Sequence, residues 1–192
     1  MEKYVEHLEA LQGRSKEIMR GLINKAKANP KRIVFPEGDE DKILRAAQVI
    51  VDEGIAEPIL IGEEAEIRAK IAELKLDLDG ITIINPSTSE MREKYTQSFF
   101  EMRQRKGVTL AEARRTIERN RNYFGAMMMQ QGDADALLSG INHHYPEPIR
   151  QALEIVGRQD GLSKVHGMYM MVTKKEAVFF ADTTVTIEPT PE

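Results

Sequence analysis

Short apolar segments alternate with helical segments from residue 32 to residue 140, and this alternation is the strongest constraint on the fold. Each apolar segment runs into a turn containing glycine, proline, asparagine or aspartate, which marks the end of a strand. Strands and helices that alternate with short links favour a parallel sheet covered by helices. The predicted strands are Arg32–Phe35, Glu57–Gly62, Thr82–Pro86 and Asp135–Gly140.

The predicted helices carry apolar residues at three- and four-residue spacing or begin with a capping signal. The first is amphipathic and extends from Tyr4 to about Ala28. Asp39 or Asp41 is expected to cap the second helix. One long helix is predicted from Thr109 to about Gln131, because Thr109 and Glu112 form a capping-box pattern. The remaining helices are expected over about 41–53, 63–74, 89–106 and 146–156.

A different pattern follows near the end of the chain. Met168–Thr173 and Ala177–Asp182 are apolar and flank a charged Lys-Lys-Glu turn, which predicts a β-hairpin. The sequence ends soon after it, at Glu192. A hairpin needs other structure to cover its apolar face, so we interpret the end as a truncation within a second lobe.

Composition excludes several classes of function. The 192 residues are 41% hydrophobic and 30% charged, with a formal net charge of −4, so no strong field attracts nucleic acid or an acidic membrane. The absence of cysteine excludes disulfides and thiolate metal sites. No apolar run approaches the ~20 residues of a membrane span. We therefore expect a soluble, cytoplasmic protein that binds neither nucleic acid nor membrane.

Three places carry groups that suit a phosphate, because arginines and backbone amides at helix and strand ends bind anions. Arg103 is the first of three basic residues at the end of a predicted helix. A solvent-exposed helix end that only complements the helix dipole would carry the same residues. Ser139 and Gly140 end a strand, where α/β sheets place ligands, although an ordinary loop also fits. Arg150 could face that loop or lie free on the surface.

Other residues that could carry chemistry have simpler explanations. His143 and His144 are adjacent and face different directions, so no metal site is predicted. The run Met127–Met129 is typical of a helix packed on a sheet. The residues alone therefore predict an anion-binding α/β domain.

Several segments, in order along nearly the whole chain, resemble the phosphate acetyl- and butyryltransferase family. They are Arg32–Gly38, Pro58–Gly62, Glu101–Gly107, Asn122–Met128, Gly132–Gly140 and the helix around Arg150. The resemblance implies a layered, mostly parallel sheet of the isocitrate/isopropylmalate dehydrogenase type, with helices on both faces. It also implies that Arg103, Ser139, Gly140 and Arg150 are candidates for binding phosphate or CoA. The implied domains are a connector helix (1–30), a first α/β lobe (31–140) and the truncated start of a second lobe with a hairpin (141–192).

Within that family the chain resembles most closely the domain fused to bacterial NADP-dependent malic enzymes, through its leading helix and its exit Phe179–Val185. This implies a regulatory domain that senses acetyl-CoA or an acyl phosphate and aids oligomerisation. NADP and a divalent metal (Mg or Mn) would serve only the parent enzyme. Two departures from the transferases are Ile141–Pro146, where small hydroxyl residues are usual, and Gln151, where proline is usual.

Two alternatives stay open beside the regulatory domain. One is an active phosphate acetyltransferase, and the other is a purely structural dimerisation module. We expect the chain by itself to lack transferase and malate-oxidising activity, because a truncated second lobe leaves the cleft incomplete. We expect a homo-oligomer, a dimer or higher, formed through the exposed edge of the hairpin.

Overall fold

A computed structural model describes residues 16–142, 144, 146–162, 164–173, 176–181 and 185. These residues fall into two compact units. The larger comprises Asn29–Gly157, and the smaller comprises the described residues before and after it. The first part of the predicted opening helix, His143 and most of the segment after Ala181 lie outside the described residues. The predicted division into a connector and two lobes stays a prediction.

The larger unit contains four strands and six helices among its described residues. The strands are β1 (Arg32–Phe35), β2 (Glu57–Ile61), β3 (Thr82–Ile84) and β4 (Ala136–Leu137). Residues 16–28 form α1 of the smaller unit. The helices of the larger unit are α2 (Asp41–Glu53), α3 (Glu64–Glu73), α4 (Arg92–Arg103), α5 (Leu110–Arg119), α6 (Arg121–Gln130) and α7 (Pro146–Ile155), and a 3-10 turn, Gln104–Lys106, follows α4.

The four strands form one parallel sheet in the order β3-β2-β1-β4. At its centre, Val34 lies opposite Ile59 on one side and Leu137 on the other. The chain builds outward from β1 through β2 to β3 and then returns to place β4 on the other side of β1. The predicted α/β class, with a mostly parallel sheet, is confirmed.

Successive side chains of a strand point to opposite faces, and β1 places apolar residues on both. Phe35 packs with α2 and α3, whereas Val34 packs with α4, α5 and α6. Both side chains are almost fully buried. Met127 and Met128 of α6 are buried in the second of these layers, which confirms the predicted packing role of the methionine run. Helices therefore cover both faces of the sheet.

The predicted single helix over 109–131 is wrong, because the chain breaks at Asn120 into α5 and α6. Asn120 has an extended backbone, with φ −111° and ψ 103°. Its side-chain Oδ1 accepts hydrogen bonds from the backbone N–H groups of Asn122 and Tyr123, at 3.1 and 3.2 Å. Asparagine competes with helical hydrogen bonding in this way, so it ends one helix and caps the next.

The two capping predictions have different outcomes. Glu40 occupies the N-cap position of α2 without a side-chain cap, so neither Asp39 nor Asp41 is the cap. Asp41 instead contributes a carboxylate to the first turn, where the helix dipole favours it. The capping box at the start of α5 is confirmed, since the Thr109 hydroxyl accepts from the Glu112 N–H and the Glu112 carboxylate accepts from the Thr109 N–H.

Hydrogen bonds from Arg32 join the start of β1 to the start of β4. Its side-chain Nε and Nη2 donate to the Asp135 carboxylate at 3.1 and 3.0 Å, and its backbone N–H donates to the same group at 2.9 Å. Its guanidinium also donates to the carbonyl oxygens of Gly132 and Asp133. The side-chain hydrogen bond from Arg32, followed by the backbone one, lowers the pKa of Asp135 from 3.8 to about 2.

The interaction between Arg32 and Asp135 predicts that the stability of the protein depends on pH. Because the folded pKa of Asp135 lies below its unfolded value, its contribution is present above about pH 4 and is lost as the pH falls toward 2. The free energy of unfolding should therefore fall more steeply over this range in the wild type than in Asp135→Asn. Urea unfolding at a series of pH values measures both slopes. Parallel curves for the two proteins would contradict the assignment.

The smaller unit contains the predicted hairpin, which is confirmed. Strands β5 (Met168–Val172) and β6 (Ala177–Ala181) pair antiparallel, with Met170 opposite Phe179. Apolar side chains on both strands are exposed, with Met168 at 70% and Phe179 at 61%. The oligomer expected from this surface stays a prediction. Within the described part of the chain, no helix is long and apolar enough to cross a membrane.

Candidate functional site

The strand order reverses between β1 and β4, and parallel α/β sheets bind ligands at the carboxyl ends of the strands beside such a reversal. A polar cleft of about 340 Å³ lies there. Three segments line it, namely the turn after β1, the junction between α5 and α6, and the loop after β4. Its lining residues are Pro36, Glu37, Asp39, Glu40, Arg119, Asn120, Arg121, Asn122 and Asn142.

The loop after β4, which contains the predicted phosphate-binding residues, is tied to Glu37. The Glu37 carboxylate accepts from the N–H of Gly140, with contacts of 3.2 and 3.4 Å to its two oxygens, and from the N–H of Asn142 at 3.1 Å. Glu37 is only 6% exposed. The Ser139 hydroxyl is also buried, and it has no hydrogen-bond partner within the described residues. An internal carboxylate therefore already uses the Gly140 amide that sequence reasoning assigned to a phosphate.

The junction between α5 and α6 brings two arginines to the cleft. Arg121 donates from Nη1 to Asp39 Oδ1 at 2.6 Å, which joins the start of α6 to the turn after β1. Arg119 is exposed and makes no hydrogen bond or ion pair with the residues that the structure describes. Among the arginines of the cleft, Arg119 therefore carries the charge that an anionic ligand can reach without breaking an ion pair.

A second group of polar residues lies where α4 ends beside α6 and α7. Arg103 places Nη2 3.4 Å from Glu154 Oε1, and Tyr123 donates its hydroxyl to Glu154 Oε2 at 2.5 Å. The Arg103 side chain is 17% exposed, and its Nε is buried without an acceptor in the described structure. Arg103 is therefore an oriented cation whose hydrogen-bonding capacity is only partly used.

Tyr123 connects this group electrostatically to α7. Burial, followed by the hydrogen bond to Glu154, raises the pKa of Tyr123 to about 12, and the charges of Arg103 and Arg150 oppose the shift. The phenol therefore stays protonated at neutral pH and acts as a hydrogen-bond donor. Arg150 lies near enough to influence Tyr123, and its own side chain is exposed.

The predicted site residues thus occupy two sides of the first turn of α6. Ser139 and Gly140 adjoin the cleft, on the side of Arg121 and Asn122. Arg103 and Arg150 lie on the side of Tyr123. Sequence reasoning missed the residues that organise both sides, which are Glu37, Asn120, Arg121, Tyr123 and Glu154. Asn120 alone carried a usable signal, since asparagine favours helix caps.

The arrangement can bind and stabilise anions. Guanidinium groups give charge-assisted hydrogen bonds to phosphate, and fixed donors stabilise negative charge that develops in a reaction. The described residues contain no group of three or more histidines or carboxylates placed to hold a metal.

Comparison with known proteins decides the family. A family model described as phosphate acetyl/butaryl transferase matches residues 17–192. The chain belongs to this family. A phosphate acetyltransferase of Thermoanaerobacterium thermosaccharolyticum is 40% identical over 181 residues, which cover 91% of this chain and 54% of that protein. A phosphate acetyltransferase of Nitratidesulfovibrio vulgaris is 38% identical over 171 residues, which cover 89% of this chain and 24% of that protein.

Solved structures of the transferase family share this architecture. The EutD phosphotransacetylase from Staphylococcus aureus matches with a TM-score of 0.83 and 32% identity, over 91% of this chain and 52% of that one. A phosphotransacetylase from Streptococcus pyogenes gives the same TM-score and identity. The chain thus spans about a quarter to a half of the length of these relatives.

Proposed function

We propose that this chain forms part of a phosphate acetyltransferase, which transfers an acetyl group between CoA and inorganic phosphate. The observation that carries the proposal is the match, at 32% identity and a TM-score of 0.83, to a phosphotransacetylase over 91% of the chain. The polar cleft at the strand reversal and the arginines on both sides of α6 support an anionic ligand such as acetyl-CoA or an acyl phosphate.

The chemistry requires groups that this chain supplies. A phosphate oxygen attacks the thioester carbon, the carbon–sulfur bond breaks, and the departing CoA thiolate takes up a proton. Negative charge develops on the carbonyl oxygen and is carried by phosphate throughout, so fixed cationic donors lower the barrier. Arg103 and Arg150 are the proposed donors to these oxygens. Arg119 is proposed to attract phosphate groups into the cleft.

The test is formation of acetyl-CoA from acetyl phosphate and CoA by the full-length protein. We expect turnover in the wild type and its loss in Arg150→Ala. Arg45→Ala is the matched control, because Arg45 is an exposed arginine on α2, which packs on the opposite face of the sheet. An inactive wild type would refute the transferase proposal. Equal losses in the two variants would refute the role of Arg150.

The regulatory domain of a malic enzyme is the competing proposal. It rests on the resemblance of the leading helix and of the exit from the hairpin, and the relatives described above give it no support. In that case NADP and the divalent metal would belong to a catalytic part upstream of this chain, and acetyl-CoA would change the rate of malate oxidation. The full reading frame tests this directly, since an NADP-binding region must precede residue 1. A structural dimerisation module is favoured only if neither CoA nor acetyl phosphate binds.

A further inference from the structure

The Glu37 carboxylate accepts hydrogen bonds from two backbone amides of the loop after β4, and these amides would otherwise be available to an anion. We infer that Glu37 is a positioning residue, which holds the loop of residues 139–142 in the shape that receives the phosphate-bearing substrate. The inference rests on the proposed transferase function and adds to it the residue that shapes this wall of the cleft.

Glu37 is itself held firmly. Its backbone carbonyl accepts from the N–H of Glu40 at 3.1 Å, and the next residue, Gly38, donates its N–H to the carbonyl of Ile61 in β2 at 3.3 Å. The carboxylate therefore projects from a turn fixed to two neighbouring strands. Its hydrogen bonds to Gly140 and Asn142 cross the strand reversal and join segments more than 100 residues apart in sequence.

Within the described residues, the hydrogen bonds of loop 139–142 lead to the turn after β1. Gly140 has φ +119°, a conformation that side chains disfavour, and it turns its N–H toward Glu37. Asn142 is held twice, since its backbone N–H donates to Glu37 and its side-chain Nδ2 donates to Glu40 Oε1 at 2.6 Å. Both carboxylates belong to the turn after β1, so the shape of the loop depends on that turn.

Because Glu37 is buried, its carboxylate is better suited to hold the loop permanently than to give up the loop amides to a substrate. A carboxylate that is 6% exposed is costly without donors, and the two loop amides supply them. A substrate phosphate that took these amides would remove two donors from a buried carboxylate and place a second negative charge beside it. The substrate is therefore expected to meet the outer surface of the loop while Glu37 holds its inner side.

The experiment uses the full-length protein and the variants Glu37→Ala, Glu37→Gln and Glu37→Asp. We expect the KM for CoA and for acetyl phosphate to rise at least about tenfold in Glu37→Ala, with kcat changed less than about threefold. Formate should restore part of the loss in Glu37→Ala, because it can occupy the vacated space and accept from both amides. Glu37→Asp should lie between the wild type and Glu37→Ala.

Two further measurements separate this inference from the proposed function. Hydrogen exchange of the peptide that spans residues 138–142 should be faster in Glu37→Gln than in the wild type, whether or not the protein is a transferase. Direct binding of CoA, measured by calorimetry, should weaken in parallel. If the wild type is inactive but the Glu37 variants show both of these changes, the transferase proposal is refuted and the positioning role of Glu37 is retained. Unchanged exchange, or a lower KM in any folded variant, overturns the inference, since a lower KM would mean that Glu37 competes with the substrate.

Discussion

Replacing Arg103 with alanine is expected to lower kcat/KM of the full-length protein, in the proposed acetyl-transfer reaction, by about 100- to 1000-fold, the usual cost of losing one fixed donor to a developing charge. The Arg103 guanidinium is mostly buried, and Glu154 orients it from 3.4 Å. Tyr123 donates to the other oxygen of Glu154, so that oxygen is already hydrogen-bonded. A cation held in this way is oriented before the substrate arrives, which is the condition under which an electrostatic donor is most effective.

Arg105→Ala is the matched control, because Arg105 lies two residues further along, in the 3-10 turn, and is exposed. It removes the same charge from the same region and should change kcat/KM less than about threefold. Arg103→Lys should recover only part of the activity, since an ammonium group lacks the planar fork of the guanidinium. Steady-state kinetics and thermal melts of the three variants provide the measurements. Equal kinetics for Arg103→Ala and Arg105→Ala would show that Arg103 is a structural residue.

The fold was predictable because its signals are local. Segments such as Arg32–Phe35 are short, apolar and bounded by turns, so their type and order follow from the sequence itself. The capping box of Thr109 and Glu112 likewise lies within one turn of helix. The boundaries of β4 were less predictable, since two residues, Ala136 and Leu137, pair within the longer apolar segment.

The site was predictable only in part, because its contacts join distant segments. Ser139, Gly140 and Arg103 were chosen for their position at strand and helix ends, and Arg150 was chosen because it could face the loop after Gly140. No spacing in the sequence shows that Glu37 bonds to the loop after β4. Pairs such as Arg121 with Asp39, or Glu154 with Arg103, form only when the sheet brings their elements together.

The break at Asn120 had the largest consequence for the site. Residues 109–131 carry a continuous helical pattern, and propensity alone does not oppose a single helix there. The asparagine cap overrides that pattern and begins α6 at the cleft. The prediction of a single helix placed Arg121 in the interior of that helix. It therefore gave no reason to expect the ion pair between Arg121 and Asp39.

Replacing Gly38 with alanine is expected to lower the free energy of unfolding by about 3 kcal/mol, at the upper end of the range for overpacking a well-packed site. A Cβ atom at Gly38 would lie 2.9 Å from the backbone N and O atoms of Ile61 and 2.9 Å from Leu60 Cβ. These atoms belong to the backbone, or the base of a side chain, in a central strand. They can yield only if β1 and β2 move apart, because a rotamer change does not relieve the contact.

Gly62→Ala is the matched control, since Gly62 also follows a strand of the same sheet. Its Cβ would meet the Ile67 Cδ1 atom at 2.8 Å and the Arg121 guanidinium at 3.5 Å, and both contacts are to the far ends of side chains and not to the backbone. Urea unfolding should therefore give a loss below about 1 kcal/mol for Gly62→Ala and a clearly larger one for Gly38→Ala. Similar losses in both variants would mean that the turn after β1 yields easily. The rigid placement of Glu37 and Asp39 at the cleft would then lose its physical basis, because Gly38 separates these two residues and keeps their turn against β2.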